Sequence, residues 1–143
     1  HKMAITQTMT TSFKKELFEA VHNFTSHTIK IALYDSTATL DADTTAFGGA
    51  GELADGVGEY STGGNTLTKV APASSGTSAF ISFDTTTWGS STFTARGALI
   101  YNSSASNKAI AVLNFGSDKT SSNSTFTVTF PAASATTAII RIE

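Results

Sequence analysis

The sequence has no cysteine, only two prolines among its 143 residues and few charges, since 14% of positions are Asp, Glu, Lys or Arg. An average soluble domain carries about 25% charged residues. Without cysteine, disulfides, thiolate metal sites and a thiol nucleophile are excluded. The net charge of −2 argues against a nucleic-acid-binding protein, because such proteins need a clustered basic excess. No apolar run reaches the roughly 18 residues of a membrane span.

The sequence is rich in hydroxyl side chains, since 25 threonines and 18 serines make up 43 of the 143 residues. Threonine is β-branched and suits the exposed face of a strand, whereas serine is frequent in turns. A hydrophobic content of 40% is enough for a packed core, so we expect a folded chain. The length fits one domain, which we place at residues 12–143.

Residues 1–11 are predicted to form an N-terminal arm, because the stretch that begins at Met3 lacks charges and turn residues. We interpret the two residues before Met3 as a remnant of expression. No apolar stretch follows them, so no secretory signal is predicted. An uncharged, extended arm can add a strand to the sheet edge of a neighbouring molecule. This makes Ile5, Thr6 and Gln7 candidate partner-binding residues.

One segment has the pattern of a helix. Thr11 and Ser12 are good N-cap residues, and apolar side chains then recur every four residues from Phe13 to Leu17 and beyond. This spacing places them on one helical face and predicts a helix over residues 12–22. Two to three turns are not stable alone, so the helix is expected to dock on the rest of the domain.

The remainder of the chain has the patterns of strands. The clearest is residues 125–130, where threonines alternate with apolar side chains, and residues 109–113 form an apolar run typical of a strand covered on both faces. Strands that follow one another without helices indicate antiparallel sheets. The sequence therefore predicts a mainly β fold, an antiparallel two-layer sandwich or barrel, jelly-roll-like, of seven or eight strands with one short N-terminal helix. The predicted strands are 29–34, 67–71, 77–83, 93–101, 109–115, 125–130 and 138–142.

The chain offers little for catalysis or metal binding. His22 and His27 are five residues apart and do not share a helical face, and no third ligand is marked. The Gly-x-Ser-x-Gly nucleophile elbow does not occur. Asp41 and Asp43 match only the first two ligands of a calcium loop, which leaves a cation at residues 41–59 as an open alternative. We expect no catalytic residue, no metal ion and no cofactor, and therefore a protein that is not an enzyme.

Acidic residues are concentrated in one segment. Residues 31–68 contain six carboxylates and neither Lys nor Arg, so the nine basic residues and five remaining acids give the flanks a formal charge of +4. A flexible acidic loop can become ordered against a basic partner surface. A solvated loop without a partner is an equally open alternative. The partner-binding interpretation selects Asp41, Asp43, Glu52, Asp55 and Glu59.

Several segments follow one another in a distinctive order along the chain. They are SFKKEL at 12–17, HNF at 22–24, IKIALY at 29–34, YSTGG at 60–64, ARGALIYN at 95–102, VLNFG at 112–116, FTVTFP at 126–131 and IIRI at 139–142. In this order the chain resembles small virion structural proteins of tailed bacteriophages. The resemblance covers most of the chain from Met3 to Glu143 and is one of segments and composition rather than of a catalytic motif.

Such a resemblance implies a part of a virus particle, and within that class we favour a capsid decoration (cement) protein on the capsid surface. Decoration proteins are typically small, β-rich and oligomeric, often trimeric, and they bridge neighbouring subunits of the major capsid protein. The implied partners are therefore the major capsid protein and further copies of this chain, with a trimer favoured. Neither nucleic acid nor a membrane is an expected partner. Several modest interfaces engaged at once would give such a protein its avidity.

The alternative within the particle is a tail or fibre-associated protein that binds a host-surface glycan or another tail protein. Carbohydrate sites need exposed aromatic side chains beside polar groups. Trp88, the only tryptophan, lies in a stretch rich in Thr and Ser that could present it on a loop, so it is also a candidate partner-binding residue. The competing interpretation is a core tryptophan, because aromatic side chains dominate the energetics of burial.

Overall fold

A computed structural model describes residues 4–142, and within that range one helix and ten strands follow one another along the chain. The short first strand precedes the helix, and the other strands come after it. The elements are β1 (Thr8–Met9), α1 (Thr11–Phe18), β2 (Ile29–Tyr34), β3 (Asn65–Thr66), β4 (Lys69–Ser75), β5 (Ser78–Phe83), β6 (Thr86–Ser91), β7 (Thr94–Asn102), β8 (Lys108–Thr120), β9 (Ser124–Val128) and β10 (Ile140–Ile142).

The strands form three antiparallel sheets. The largest has five strands in the order β1-β8-β7-β2-β3, the second has the order β10-β5-β4, and the third pairs β6 with β9. No sheet formed by residues 4–142 closes into a barrel. Of the two predicted architectures, sandwich or barrel, the structure is therefore consistent with the sandwich. The strands outnumber the predicted seven or eight because β1 and β3 are only two residues long and β6 lies in a stretch that we interpreted as a loop.

The five-stranded sheet is buried on both faces, and this sets the shape of the core. On one face, alternate side chains such as Ile31, Leu33 and Ile100 belong to the main core, which the helix and the other two sheets complete. On the other face, Ala32 and Leu99 belong to a second cluster that the N-terminal arm and the segment after β2 cover. Distant chain segments therefore cover the second face of β2.

The helix begins where expected and ends four residues early. The buried Thr10 is the N-cap residue, and its Oγ1 accepts a hydrogen bond of 3.2 Å from the backbone N–H of Phe13. At the other end, Ala20 has a φ of +58°, which reverses the chain after the last turn. The predicted end at residue 22 was therefore wrong, because the reversal takes His22 off the helix and places it beneath the first turn, where its ring centroid lies 5.0 Å from that of Phe13.

Most predicted strands are confirmed, with one correction. The alternation at residues 125–130 gives exposed threonines and buried apolar side chains, and residues 109–113 are buried on both faces, as expected. The strand predicted at residues 109–115 is longer than expected, since residues 116–119 continue β8, whose Thr120 pairs with Thr94. The pairing of β7 with β8 shifts register between Ala95 and Gly97, as in a β-bulge.

Candidate functional site

An apolar groove lies between the helix and the β10-β5-β4 sheet and is the candidate functional site. Its volume is about 400 Å³. One wall comes from α1 and the loop that follows it, and the other from side chains of β4, β5 and β10. The apolar side chains of its wall include Leu17, Phe24, Phe80, Ile81, Ile140 and Ile142.

Three aromatic rings fix the helical wall of the groove. Phe13 is fully buried, and its ring centroid lies 5.0 Å from that of His22 and 5.9 Å from that of Phe24. His22 and Phe24 stack with an interplanar angle of 26°. Because these three rings join the first helical turn to the loop after the helix, the wall is a packed structure rather than a flexible flap.

A buried polar network anchors the same wall to the main sheet. The amide nitrogen of Asn102 donates to Nδ1 of His22 at 3.0 Å and to Nδ1 of His27 at 2.9 Å, and its Oδ1 accepts from the backbone N–H of Ser104 at 3.0 Å. Since Nδ1 of His22 accepts, its Nε2 carries the proton and donates to Glu16 at 2.8 Å. The two histidines therefore share one amide group, and this arrangement does not present them as a pair of metal ligands.

Removing this amide is expected to destabilise the fold. Asn102→Ala removes the donor to Nδ1 of His22, whose side chain is fully buried, and leaves a cavity at a fully buried position, which should cost about 2–4 kcal/mol of unfolding free energy. Urea denaturation of both proteins measures the change. Thr129→Ala is the control, because Thr129 is exposed. Its free energy of unfolding should stay within about 0.5 kcal/mol of that of the parent protein. A loss below about 1 kcal/mol for Asn102→Ala would contradict the role given to the network.

The outer face of the helix carries charges and one exposed aromatic side chain. Lys15 forms an ion pair with Glu19, one turn further along, and Lys14 is exposed beside it. Phe18 is 94% exposed, and Ile142 on the opposite wall is 57% exposed. The groove is thus an apolar depression with apolar side chains also at its rim, which is typical of a protein-binding surface.

The acidic residues of the segment 31–68 act mainly within the chain. The side chain of Asp41 accepts from the N–H of Asp43, that of Asp55 from Thr62, and that of Glu59 from Gly89, all at 2.8–2.9 Å. Carboxylates of this segment therefore organise its own turns. The expectation of a mobile loop that awaits a partner is not what the structure describes, although Asp43, Asp55 and Glu59 remain exposed.

Glu52 joins the acidic segment to the main sheet. Its Oε2 accepts from the hydroxyl of Tyr60 and from the backbone N–H of Gly63, each at 2.7 Å. The Tyr60 hydroxyl in turn accepts from the N–H of Leu33 at 3.0 Å. Glu52 is half-buried, and its carboxylate is occupied by these two bonds. We therefore assign Glu52 to the fold rather than to a partner surface.

All three tyrosines of the chain are buried around this carboxylate. Burial raises the pKa of Tyr60 well above its usual value, and its hydrogen bond to Glu52 raises it further. Burial likewise raises the pKa of Tyr34 well above the usual range and that of Tyr101 to about 12, with the charge of Glu52 adding to both. The hydroxyls of Tyr34 and Tyr101 donate to backbone carbonyls at 2.7 and 2.6 Å, so these side chains are structural.

The N-terminal arm pairs within its own chain. Ile5 is buried and forms a parallel bridge with Leu40, and the N–H of Thr6 donates to the Leu40 carbonyl at 2.8 Å. The side chains of Thr6 and Gln7 are exposed, and Oε1 of Gln7 accepts from the N–H of Asn114 at 3.1 Å. The expectation that this arm extends a neighbour's sheet is therefore corrected for Ile5, whose side chain is used in the second core cluster.

Trp88 lies in the core and presents no surface to a partner. It belongs to β6, is 1% exposed, and its ring packs beside those of Tyr60 and Phe126 at centroid distances of 6.0 and 6.3 Å. The expectation that Trp88 binds a partner is thus wrong, because β6 pairs with β9 and turns this side chain inward. The structure also removes the observation that favoured a sugar-binding loop.

A metal site and a membrane span are not seen in the described part of the chain. Within residues 4–142, no three His, Asp or Glu side chains are placed so that they could hold a metal ion. In the same range, no helix is long and apolar enough to cross a bilayer. Glu52, which lies in the stretch considered for a cation, is bonded to Tyr60 and Gly63 instead.

Residues 4–142 form an antiparallel β-sandwich domain with an apolar groove beside the helix α1. Comparisons with known proteins found no family model, no curated protein and no solved structure that matches this chain. The functional interpretation therefore depends on the chemistry of the molecule and on the segment resemblance described above.

Proposed function

We propose that this protein decorates a tailed-bacteriophage capsid and stabilises it by bridging subunits of the major capsid protein. The observation that carries the proposal is the surface chemistry of the sandwich. Exposed positions in and directly after β9, such as Thr125, Thr127 and Thr129, carry hydroxyl groups in place of charges, so the domain presents a hydrated but weakly charged surface. A rigid domain of this kind suits a partner that is itself a repeating protein surface, because many weak contacts then add by avidity.

The acidic segment supports the proposal through its charge. Asp43, Asp55 and Glu59 are exposed on a segment that its own hydrogen bonds hold in place. A fixed acidic surface favours a basic partner and speeds its encounter without the entropic cost of ordering a loop. The glycan-binding alternative has lost its main support, since Trp88 is buried. We therefore keep the capsid subunits as the proposed partner.

The proposal is tested by adding the purified protein to capsids that lack it. We expect the protein to sediment with the capsids, to occupy regular positions on their outer surface in electron micrographs, and to raise the temperature at which they rupture. Protein found on the tail, or no binding to capsids, would contradict the proposed function.

A charge variant sharpens this test. Asp43→Asn removes one exposed carboxylate of the acidic segment and should weaken capsid binding by about threefold to tenfold, with a smaller dependence on salt. Asp118→Asn is the matched control, because Asp118 is exposed outside this segment and should leave binding unchanged. Equal effects of the two variants would show that the acidic segment is not the contact surface.

A further inference from the structure

The last residue of the helix is an aromatic side chain that does not pack into the core of its own chain. Phe18 is 94% exposed, whereas Leu17 and Ala20 on either side of it in the sequence line the groove. Among residues 4–142, the large hydrophobic side chains with such exposure are Phe18 and Ile142, and Ile142 also lines the groove. The apolar surface that water still reaches is therefore concentrated at one place.

The groove has the size and chemistry to receive a phenyl ring. An apolar cavity of about 150 Å³ holds a benzene molecule in a protein interior, and this groove has a volume of about 400 Å³. Its wall includes aliphatic side chains such as Leu17, Ile81 and Ile140. Because Phe18 is itself exposed, it does not fill the groove of its own chain. The exposed ring is adjacent in the sequence to the groove wall, since Leu17 and Ala20 line the groove.

The charges on the helix favour a second copy of the same chain over an unrelated partner. Lys14 and Lys15 precede Phe18, and Glu19 follows it. Glu19 is paired with Lys15 of its own chain, and its side chain is 45% exposed. When two such helices approach antiparallel about a two-fold axis, the exposed Lys14 of one copy adds a second contact to Glu19 of the other, and every contact occurs twice. Glu16 is held by His22 and lies near Lys108, so it does not add an opposing charge to this face.

We propose that the groove binds Phe18 of a second copy of this chain, with Lys14 of each copy beside Glu19 of the other. This inference rests on the proposed function and deepens it, since it names the surface by which copies of a decoration protein associate. It places a two-fold dimer where the resemblance led us to expect a trimer. Its chemistry is that of a self-complementary interface, with an aromatic side chain in an apolar depression and charges at the rim. It can be tested on the purified protein without any capsid, so its failure and that of the capsid proposal are distinguishable.

The main experiment measures self-association by sedimentation equilibrium. The parent protein should associate reversibly, and Phe18→Ser should raise the dissociation constant by about a hundredfold or more, because two phenyl rings lose their burial. Because Phe18 makes little contact with the rest of its own chain, the variant should have the melting temperature that the parent protein has at concentrations where it is monomeric. A parent protein that stays monomeric at high concentration overturns the proposal, as does association that Phe18→Ser leaves unchanged.

Two further variants identify the surface. Ala79→Trp places a large side chain at an exposed position that lines the groove, and it should block association as strongly as Phe18→Ser. Lys119→Ser, which truncates an exposed side chain in a different depression, is the control and should not change the dissociation constant. If Lys119→Ser acts like Ala79→Trp, the groove is not the interface.

A charge exchange tests the arrangement of the two helices. Lys14→Glu should weaken association by about threefold to tenfold, because it places two acidic groups side by side at the rim. The double variant Lys14→Glu, Glu19→Lys should regain most of the lost affinity, because residues 14 and 19 of the two copies again carry opposite charges. Failure of the second change to restore association would contradict the antiparallel placement of the helices.

Discussion

Replacing Gly64 with alanine is expected to lower the free energy of unfolding by more than about 4 kcal/mol, enough to leave much of the protein unfolded. Gly64 has a φ of +78°, and a Cβ atom there would lie 1.7 Å from the carbonyl oxygen of Ile31. The obstacle is the backbone of β2, an interior strand of the five-stranded sheet, which cannot move without disturbing its pairing with β7. Both the left-handed conformation and the close approach require glycine.

A second glycine of the same acidic segment provides the control. Gly48 has no heavy atom within 4 Å of the position that a Cβ would occupy. Gly48→Ala should therefore change stability by less than about 1 kcal/mol, and it can stabilise the protein by restricting the unfolded chain. Circular dichroism and urea denaturation of both variants give the comparison. Native stability of Gly64→Ala would contradict the packing of this turn against β2.

Alkaline pH is expected to destabilise the protein steeply above about pH 10, where tyrosines of the unfolded chain ionise. Burial raises the pKa of Tyr34 and Tyr60 above the usual range and that of Tyr101 to about 12 in the folded protein. The unfolded state therefore releases protons first, and the stability that is fully present below pH 10 falls as pH rises. Three such groups give a slope of about 4 kcal/mol per pH unit between about pH 10 and 12.

The measurement is unusually direct, because these three residues are all the tyrosines of the chain. Tyrosinate absorbance should stay low as pH rises and then increase together with the loss of β structure, rather than before it. Tyr101→Phe removes one ionisable group, so its slope of stability against pH should be smaller by about one third. Tyrosinate that forms in the folded protein near pH 10 would contradict the burial of these side chains.

Patterns that depend on neighbouring residues could be predicted from the sequence. The alternation at residues 125–130 specifies which side chains are buried, and the apolar run at residues 109–113 specifies a strand covered on both faces. The start of the helix followed from a hydroxyl residue before Phe13, although the capping side chain is Thr10. In each of these cases local backbone preference and burial act in the same direction.

Features that depend on distant residues could not be predicted. The carboxylates of the acidic segment resemble a partner-binding surface in the sequence, yet Glu52 bonds Tyr60 and Gly63, and Glu59 bonds Gly89. Trp88 stands among Thr and Ser residues that suggest a loop, but pairing of β6 with β9 turns it inward. Such outcomes are decided by tertiary contacts, which override local composition.

The groove was also missed, and one signal could have revealed it. In the sequence, Phe18 directly follows Leu17 and lies off the four-residue spacing that begins at Phe13. In the structure, Phe18 is the last residue of α1 and is 94% exposed. An apolar residue that follows Leu17 in the sequence, outside the four-residue spacing of the buried helical face, is expected to be exposed. This position therefore marked the surface where we propose the contact between copies.

The pairing of β1 with β8 also constrains the order of events during synthesis. Thr8 pairs with Val112, more than a hundred residues further along the chain. Strand β1 therefore leaves the ribosome long before its partner strand β8 exists, and closing so large a loop is a slow step of folding. During that interval the arm can pair with β8 of another newly made chain. At high rates of synthesis, exchange of this segment between molecules becomes a competing product of folding.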